Sequence, residues 1–264
     1  MLPAFPLNPP PPYLSDADVR NLPAPPPPFS SGSSRQHAGL SSIPPHLLLN
    51  IIHHTFPQLP GIDEGRLERQ RRTLYWLGVQ LRLVNRAFYI ACMHVLRSTY
   101  LPAYSSFLRR PYSSDPFPLA APSPTTPDTP RIPSLHRETR VLDLFIALKV
   151  REDVWADASD LHLGSEESFR DLFELMQPRA RCEDLVCEMG VRAGVVVLGR
   201  ARGRQVCFED VSVKLSPRKV GLVLAGPGGA RRTVAEVERR RDERLEVAAK
   251  ALVGELKRWL QGGR

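Results

Sequence analysis

The placement of proline divides this chain into segments that can fold and segments that cannot. The sequence has 27 prolines, of which eleven precede Ile43 and eight lie between Pro111 and Pro133. Because proline fixes φ and has no backbone N–H group, dense proline opposes regular helices and central strands. The two proline-poor stretches therefore carry the folded structure, and they make up about two-thirds of the chain.

Four segments follow from this division. We predict a disordered tail at residues 1–42, a helical module at 43–110, a second proline-rich linker at 111–136 and a folded domain at 137–264. The tail and the linker cannot bury enough apolar surface to offset chain entropy, so we expect both to be disordered. The predicted fold class is α+β and mainly helical. It comprises an N-terminal three-helix module, then a small domain of helices, a short antiparallel β-meander and a long C-terminal helix.

The net charge is +8, and most of it lies in the helical module. Residues 43–110 hold nine arginines against three acidic residues, which favours an acidic partner surface over a nucleic-acid arm. The arginine-rich run at Arg239 to Arg244 is interspersed with Asp242 and Glu243 and has no aromatic platform beside it. Nucleic acid is therefore not an expected partner.

The four cysteines show no CxxC pair or regular framework, which favours reduced thiols in an intracellular protein. The N-terminus has no basic region followed by a long apolar core, so no signal peptide is expected. No uncharged apolar run approaches the ~20 residues of a membrane span. We expect a soluble protein of the cytoplasm or nucleus that has no membrane partner. The four cysteines are Cys92, Cys182, Cys187 and Cys207.

Residues 43–104 have the strongest helical pattern of the chain. Pro44 and Pro45 suit the first turn of a helix, and the apolar residues after them recur on one face as far as Phe56. Asp63 is the expected cap of a second helix with a charged outer face. Asn85 is expected to break or cap the chain before a third helix, and Pro102 is expected to end the compact region. The apolar positions of these helices are Leu47, Leu48, Ile51 and Ile52, then Leu67, Leu74, Leu77, Leu81 and Val84, then Phe88, Cys92, Val95 and Leu96.

The C-terminal block mixes helical and strand patterns. A buried helix is predicted around Val141 to Leu148, with a strand as the alternative, and two more helices are expected to end at Pro178 and Gly190. Three β-branched runs predict an antiparallel meander. Thr233-Val234-Ala235-Glu236 matches a capping box that would open the long C-terminal helix. The three runs are Val191 to Leu198, Gln205 to Leu215 and Lys219 to Ala225.

Two kinds of short motif lie in the proline-rich segments. Pro10-Pro11-Pro12-Tyr13 matches the PPxY pattern that WW domains bind, and a solvated tail without a partner is the alternative. Ser123, Thr126 and Thr129 each precede a proline, which predicts proline-directed phosphorylation. An unmodified spacer is the alternative for the linker.

No group of residues matches a catalytic or metal site. The acidic residues around Asp153 and His162 fit neither a calcium loop nor a zinc-protease helix. They are the first candidates for catalytic residues on the alternative that the protein is an enzyme. Gly226-Pro227-Gly228-Gly229 lacks the lysine of a phosphate loop, and the histidines His53, His54 and His94 lack companions. We therefore expect no enzyme activity, no cofactor and no metal. The acidic cluster comprises Asp153, Asp157, Asp160, His162, Glu166 and Glu167.

The helical module has a characteristic start and second half. It starts with Ile43-Pro44-Pro45-His46-Leu47-Leu48, and its second half contains Leu81-Arg82-Leu83-Val84-Asn85-Arg86-Ala87-Phe88. These two stretches follow the two halves of the F-box motif, so the module resembles an F-box. His46 stands where the family usually has an acidic residue, and residues 57–80 are longer than the usual connection. A proline-rich tail before the module and a proline-rich stretch after it are also similar to fungal F-box-like proteins.

The resemblance implies a partner and the residues that would bind it. F-box proteins dock onto the adaptor subunit of SCF-type ubiquitin ligases, so this chain is expected to be a non-enzymatic interaction protein with an unidentified substrate protein. An orphan scaffold whose helices pack intramolecularly is the alternative. The residues implied at the interface or in its supporting core are Ile43, Pro44, Leu47, Leu48, Ile51, Leu81, Val84 and Phe88.

Overall fold

A computed structural model describes residues 43–62, 64–117, 136–155, 169–199 and 203–262. The tail, its PPxY motif, most of the linker and its Ser/Thr-Pro sites lie outside these ranges. The predictions made for those segments remain predictions.

Six α-helices and five strands follow one another in the described ranges. They are α1 (Pro45–His54), α2 (Arg66–Val79), α3 (Arg86–Ser106), α4 (Arg137–Trp155), α5 (Gln177–Arg192), β1 (Val196–Val197), β2 (Val206–Cys207), β3 (Val211–Leu215), β4 (Lys219–Ala225), β5 (Arg231–Glu238) and α6 (Leu245–Gly262). A 3-10 turn, Leu81–Leu83, joins α2 to α3, and a π-helical segment, Leu172–Met176, leads into α5. The predicted fold class, α+β and mainly helical, is confirmed.

The first three helices form where the sequence predicts them, with two differences at their ends. Asp63 lies outside the described residues, and Gly65 occupies the N-cap position of α2. The prediction that Pro102 ends the compact region is wrong, because α3 continues through it. Tyr104, beyond the proline, is fully buried, and the packing of its ring outweighs the loss of one helical hydrogen bond at Pro102.

The helix expected to end at Pro178 also continues. The N–H group of Gln177 bonds to the carbonyl of Leu172, five residues earlier, so the chain makes one wider π turn before Pro178. A regular α-helix would press the carbonyl of Glu174 against the proline ring, and the wider turn relieves that clash. α5 then passes through the predicted stop at Gly190 and ends at Arg192.

The three-stranded sheet is an antiparallel meander in the order β3-β4-β5. Its third strand is β5. The run Val191 to Leu198, which was predicted as a strand of this meander, instead contains the end of α5 and the short strand β1. β1 pairs in parallel with β2 in a separate two-stranded sheet. The predicted capping box at Thr233 is wrong, because this alternating, β-branched segment pairs with β4 and the last helix begins later, at Leu245.

The apolar side chains form three clusters. The first lies among α5, α6 and the sheet, and the third among α1, α2 and α3. The second joins α2 and α3 to α4 and α5 through residues such as Leu96, Tyr104, Phe145 and Ala180. Residues of the predicted module and of the predicted C-terminal domain therefore share a core, and the described residues from Ile43 onward group as one compact unit.

The structure also bears on membrane insertion. Among the residues it describes, no helix combines the length and the apolar character that crossing a bilayer requires.

Candidate docking face

The sequence at the start of α1 fixes how this helix enters the module. Pro44 has an extended backbone (φ −54°, ψ 140°), and Pro45 is the first helical residue. The carbonyl of Pro44 accepts hydrogen bonds from the N–H groups of Leu47 and Leu48 at 3.0 and 3.1 Å. The two prolines cost no helical hydrogen bond here, because the first N–H groups of a helix have no intrahelical acceptor.

The apolar residues of α1 divide between the core and the surface. Leu48 and Ile52 are only 1% and 0% exposed, whereas Leu47 and Ile51 are 46% and 48% exposed. With Pro44, the two exposed residues fall at positions i, i+3 and i+7, which lie on one side of a helix. We call Pro44, Leu47 and Ile51 the docking face.

The buried side of α1 holds the docking face in place. Leu48 and Ile52 belong to a cluster that also contains Leu77 of α2 and Phe88 of α3, with Ile43 and Leu81 packed at its edge. Four further members complete the cluster on α3: Ala91, Cys92, Val95 and the half-buried Ala87. Because α1 is anchored on two other helices, its exposed side is presented on a rigid support.

One residue of the F-box-like motif lies elsewhere than expected. Val84 was expected to hold the helices together, but it is 58% exposed at the end of the 3-10 turn, beside Leu83, which is 73% exposed. Phe88, which was expected in the same core, is buried there. The side chain of Asn85 accepts a hydrogen bond from the Phe88 N–H at 2.9 Å, so α3 begins directly after Val84 and turns Phe88 inward.

The long connection at residues 57–80 is mostly the helix α2 and not a loose insertion. α2 contributes Leu74 and Leu77 to the cores. Its charged side also has a structural role, because Arg69 donates to the carbonyl of Leu59 at 2.8 Å and Gln70 donates to the carbonyl of Pro57 at 3.2 Å. The preceding loop is therefore folded back onto α2.

The thiol nearest to this face is not a reactive group. Cys92 lies in the α1–α3 core, and burial raises its pKa to about 11, although the nearby Arg82 guanidinium opposes the shift. A thiol with such a pKa stays protonated at neutral pH and packs as a small apolar side chain.

The other residues tested for chemistry have structural roles where the structure describes them. Asp153 accepts a hydrogen bond from the Tyr100 hydroxyl at 2.9 Å and pairs with Lys149 at 3.0 Å, while the rest of the predicted acidic cluster lies outside the described ranges. Burial, reinforced by Asp153, raises the pKa of Tyr100 well above its usual range. The turn at Gly226 to Gly229 is followed by β5 and not by a helix, so it lacks the context of a phosphate loop. Within the described part of the chain, no three His, Cys, Asp or Glu residues are grouped closely enough to hold a metal.

Comparisons with protein-family models, with curated proteins and with solved structures each found no match.

Proposed function

We propose that this chain is a non-enzymatic interaction protein that uses α1 to dock onto the adaptor subunit of an SCF-type ubiquitin ligase. The observation that carries the proposal is the exposure of Leu47 and Ile51 beside the buried Leu48 and Ile52. An F-box-like module needs such a helix, with one side anchored and the other presenting apolar side chains. Action in the cytoplasm or nucleus is part of the same proposal.

The physical basis is burial of apolar surface in a partner groove. Leu47 and Ile51 each retain nearly half of their exposed surface. Full burial of such a side chain contributes roughly 1.5–3 kcal/mol, so covering the remaining surface would contribute roughly half of that for each residue. A helix that inserts residues at this spacing into a groove is a common mode of recognition. The excess of arginine in residues 43–110 would speed the encounter with an acidic adaptor.

The test is a binding titration between the purified protein and the purified adaptor subunit. We expect binding by the wild type and a large loss in the double variant Leu47→Asp, Ile51→Asp, because two charges would then have to enter an apolar groove. Leu48 is unsuitable for this test, since it is buried and its replacement by Asp would unfold the module.

A matched control separates docking from a general effect of added charge. Leu198 is 46% exposed, like Leu47, but follows β1 in the C-terminal part. Leu198→Asp should bind the adaptor as well as the wild type does. Absence of binding by the wild type, or an equal loss in the control, would refute the proposal.

A scaffold function is the second candidate, and the shared core favours it. Tyr104 of α3 lies 5.6 Å from Phe145 of α4 and 5.1 Å from Phe173, measured between ring centroids. These contacts show that the first three helices also serve intramolecular packing. On this alternative the double variant at Leu47 and Ile51 would behave like the wild type in every binding assay.

A further inference from the structure

A second surface, far along the chain from the docking face, is a groove bordered by several arginines. The groove, of about 680 Å³, runs between the segment that follows α3 and the start of α6. Arg110, Tyr112 and Ser113 line one wall, and Asp242, Arg244 and Glu246 line the other. This volume lies in the range of ordinary ligand sites. We call it the basic groove.

The two walls of the basic groove are joined to each other. The Ser113 hydroxyl donates to Oε1 of Glu246 at 2.5 Å, and Gln177 of α5 donates to the Ser113 carbonyl at 3.1 Å. The guanidinium of Arg239 lies 5.2 Å from the Tyr112 ring centroid, over one face of the ring. Arg239 is itself held by the carbonyl of Glu243 at 2.7 Å. The groove is therefore part of the packed structure.

Five arginines in or next to this groove have no side-chain partner among the residues that the structure describes. Arg110 and Arg244 lie in the walls of the groove, and Arg240 and Arg241 immediately precede the second wall. The fifth is Arg218, whose backbone carbonyl accepts the N–H group of Arg239. Within the described residues, none of these five guanidinium groups makes a hydrogen bond or an ion pair. Unpaired guanidinium groups bind carboxylate and phosphate oxygens, often in bidentate geometry.

The acidic residues of the same region are mostly engaged. Glu246 accepts the Ser113 hydroxyl, and Glu243 accepts the backbone N–H of Arg240 at 3.1 Å. Burial alone would raise the pKa of Glu246, but the Ser113 hydrogen bond, its own backbone N–H group, Arg181 and Arg244 together lower it. Asp242 is the one exposed carboxylate among the groove's lining residues, whose two arginines and two carboxylates balance each other. The positive excess of the region comes from the adjoining residues, where Arg239, Arg240 and Arg241 outnumber Glu243.

We propose that the basic groove binds an extended segment of a partner protein that carries anionic side chains, either carboxylates or phosphoryl groups. A nucleic acid fits less well for two reasons. The one aromatic ring in the lining has a face covered by Arg239, which leaves little for bases to stack on. The carboxylates of Asp242 and Glu246 also oppose a continuous row of phosphates, whereas a peptide can space its anionic groups to avoid them.

The test uses the full-length protein and fluorescence anisotropy. The probes are a labelled peptide of alternating Glu and Ser, the same peptide with phosphoserine in place of Glu, its Gln counterpart, and a single-stranded oligonucleotide. We expect the Glu peptide or the phosphoserine peptide to bind, and the one that binds more tightly identifies the anionic group. The Gln peptide should bind at least about tenfold more weakly than that peptide. Failure of both anionic peptides to bind, or tighter binding of the oligonucleotide, would overturn the proposal.

Three variants locate the binding. The double variant Arg110→Gln, Arg244→Gln should weaken binding about tenfold or more, because it removes two charge-assisted hydrogen bonds. Arg231→Gln, Arg232→Gln is the matched control, since both arginines are exposed at the far end of β5. Asp242→Asn should strengthen binding, a gain that misfolding cannot imitate. Equal losses in the two double variants, or no gain with Asp242→Asn, would contradict the proposed site.

This proposal is independent of adaptor docking. The variant Leu47→Asp, Ile51→Asp should bind the anionic peptide as the wild type does, and the Arg110 and Arg244 variant should keep its affinity for the adaptor. Each proposal can therefore fail alone.

Discussion

Gly190 of α5 lies directly against Val196 of β1. A Cβ atom placed on Gly190 would stand 2.4 Å from Cγ2 and 2.9 Å from Cβ of that valine, closer than carbon atoms approach. β1 begins only four residues after α5 ends. The glycine therefore lets the chain reverse and pack its first strand on the helix it has just left.

Gly190→Ala should destabilise the protein. Alanine favours the helix by up to about 1 kcal/mol, but relieving the overlap requires β1 to shift and overpacking of this kind costs about 1–3 kcal/mol. Gly254→Ala is the matched control, because Gly254 is an exposed residue of α6 whose added methyl group would touch nothing within 4 Å. Denaturant unfolding should show the two substitutions acting with opposite signs, and a stabilising Gly190→Ala would contradict the packing of β1.

The cap of α3 gives a second prediction. Replacing Asn85 with Ala removes the acceptor of the Phe88 N–H group and should lower the free energy of unfolding by about 1 kcal/mol. Asn50 is exposed within α1, so Asn50→Ala should change that free energy by less than about 0.5 kcal/mol. Thermal unfolding followed by circular dichroism measures both. Equal effects would show that the Asn85 hydrogen bond contributes nothing.

The features that were predicted correctly depend on residues that are close to one another in the sequence. Asn85 caps α3 and Pro45 opens α1, as predicted. Both effects depend only on the backbone within the first turn of each helix. The division of α1 into a buried and an exposed side was not predicted, because Leu47 and Leu48 are equally apolar. The positions of α2 and α3 decide which of them is buried.

The wrong predictions have the same origin. Thr233 to Glu236 satisfies the capping-box pattern and an alternating strand pattern at once, and pairing with β4 decides between them. Gly190 was predicted as a helix stop, but α5 continues to Arg192, and the glycine instead makes room for Val196 of β1. The basic groove was missed because Arg110 and Arg244 are 134 positions apart in the sequence and meet only in the fold.

Asp184 gives a prediction about pH. Its carboxylate is buried and accepts the backbone N–H groups of Arg137 and Glu138 at 2.9 and 2.8 Å, which caps α4 from another helix. Burial raises the pKa of Asp184 and the nearby Glu138 carboxylate adds to this, while the two N–H groups and His136 act in the opposite direction.

The raised pKa means that the folded protein binds this proton more tightly than the unfolded chain does. The stability contributed by Asp184 is therefore fully present at low pH and is lost as the pH rises through the folded-state pKa. The free energy of unfolding of the wild type minus that of Asp184→Asn should fall as the pH rises above the unfolded-state pKa of aspartate, about 3.9. A difference that rises over this range would show that the carboxylate is stabilised in its ionised form.

The cysteines give a prediction that needs no substitution. Cys92 and Cys182 are fully buried, and burial raises their pKa values to about 11 and about 12. Alkylation requires the thiolate, so in the native protein both should react far more slowly with iodoacetamide than the half-buried Cys207. Peptide mapping by mass spectrometry after short labelling measures the three rates, and denatured protein, in which all cysteines should label alike, is the control. Fast native labelling of Cys92 would contradict the α1–α3 core.

The shared aromatic core predicts how the first three helices behave alone. Tyr104 and Phe107 of the α3 region pack on Phe145, Phe169 and Phe173, with the Phe107 and Phe173 rings stacked at 5.2 Å. A fragment of residues 43–110 loses these partners and exposes its side of the cluster, so we expect it to keep helical far-ultraviolet circular dichroism but to lack a cooperative thermal transition. If the proposed docking is right, adding the adaptor restores that transition, because binding energy stabilises α1 and the helices beneath it. A fragment that unfolds cooperatively by itself would instead show that the α1–α3 core is sufficient and that the contacts with α4 are dispensable.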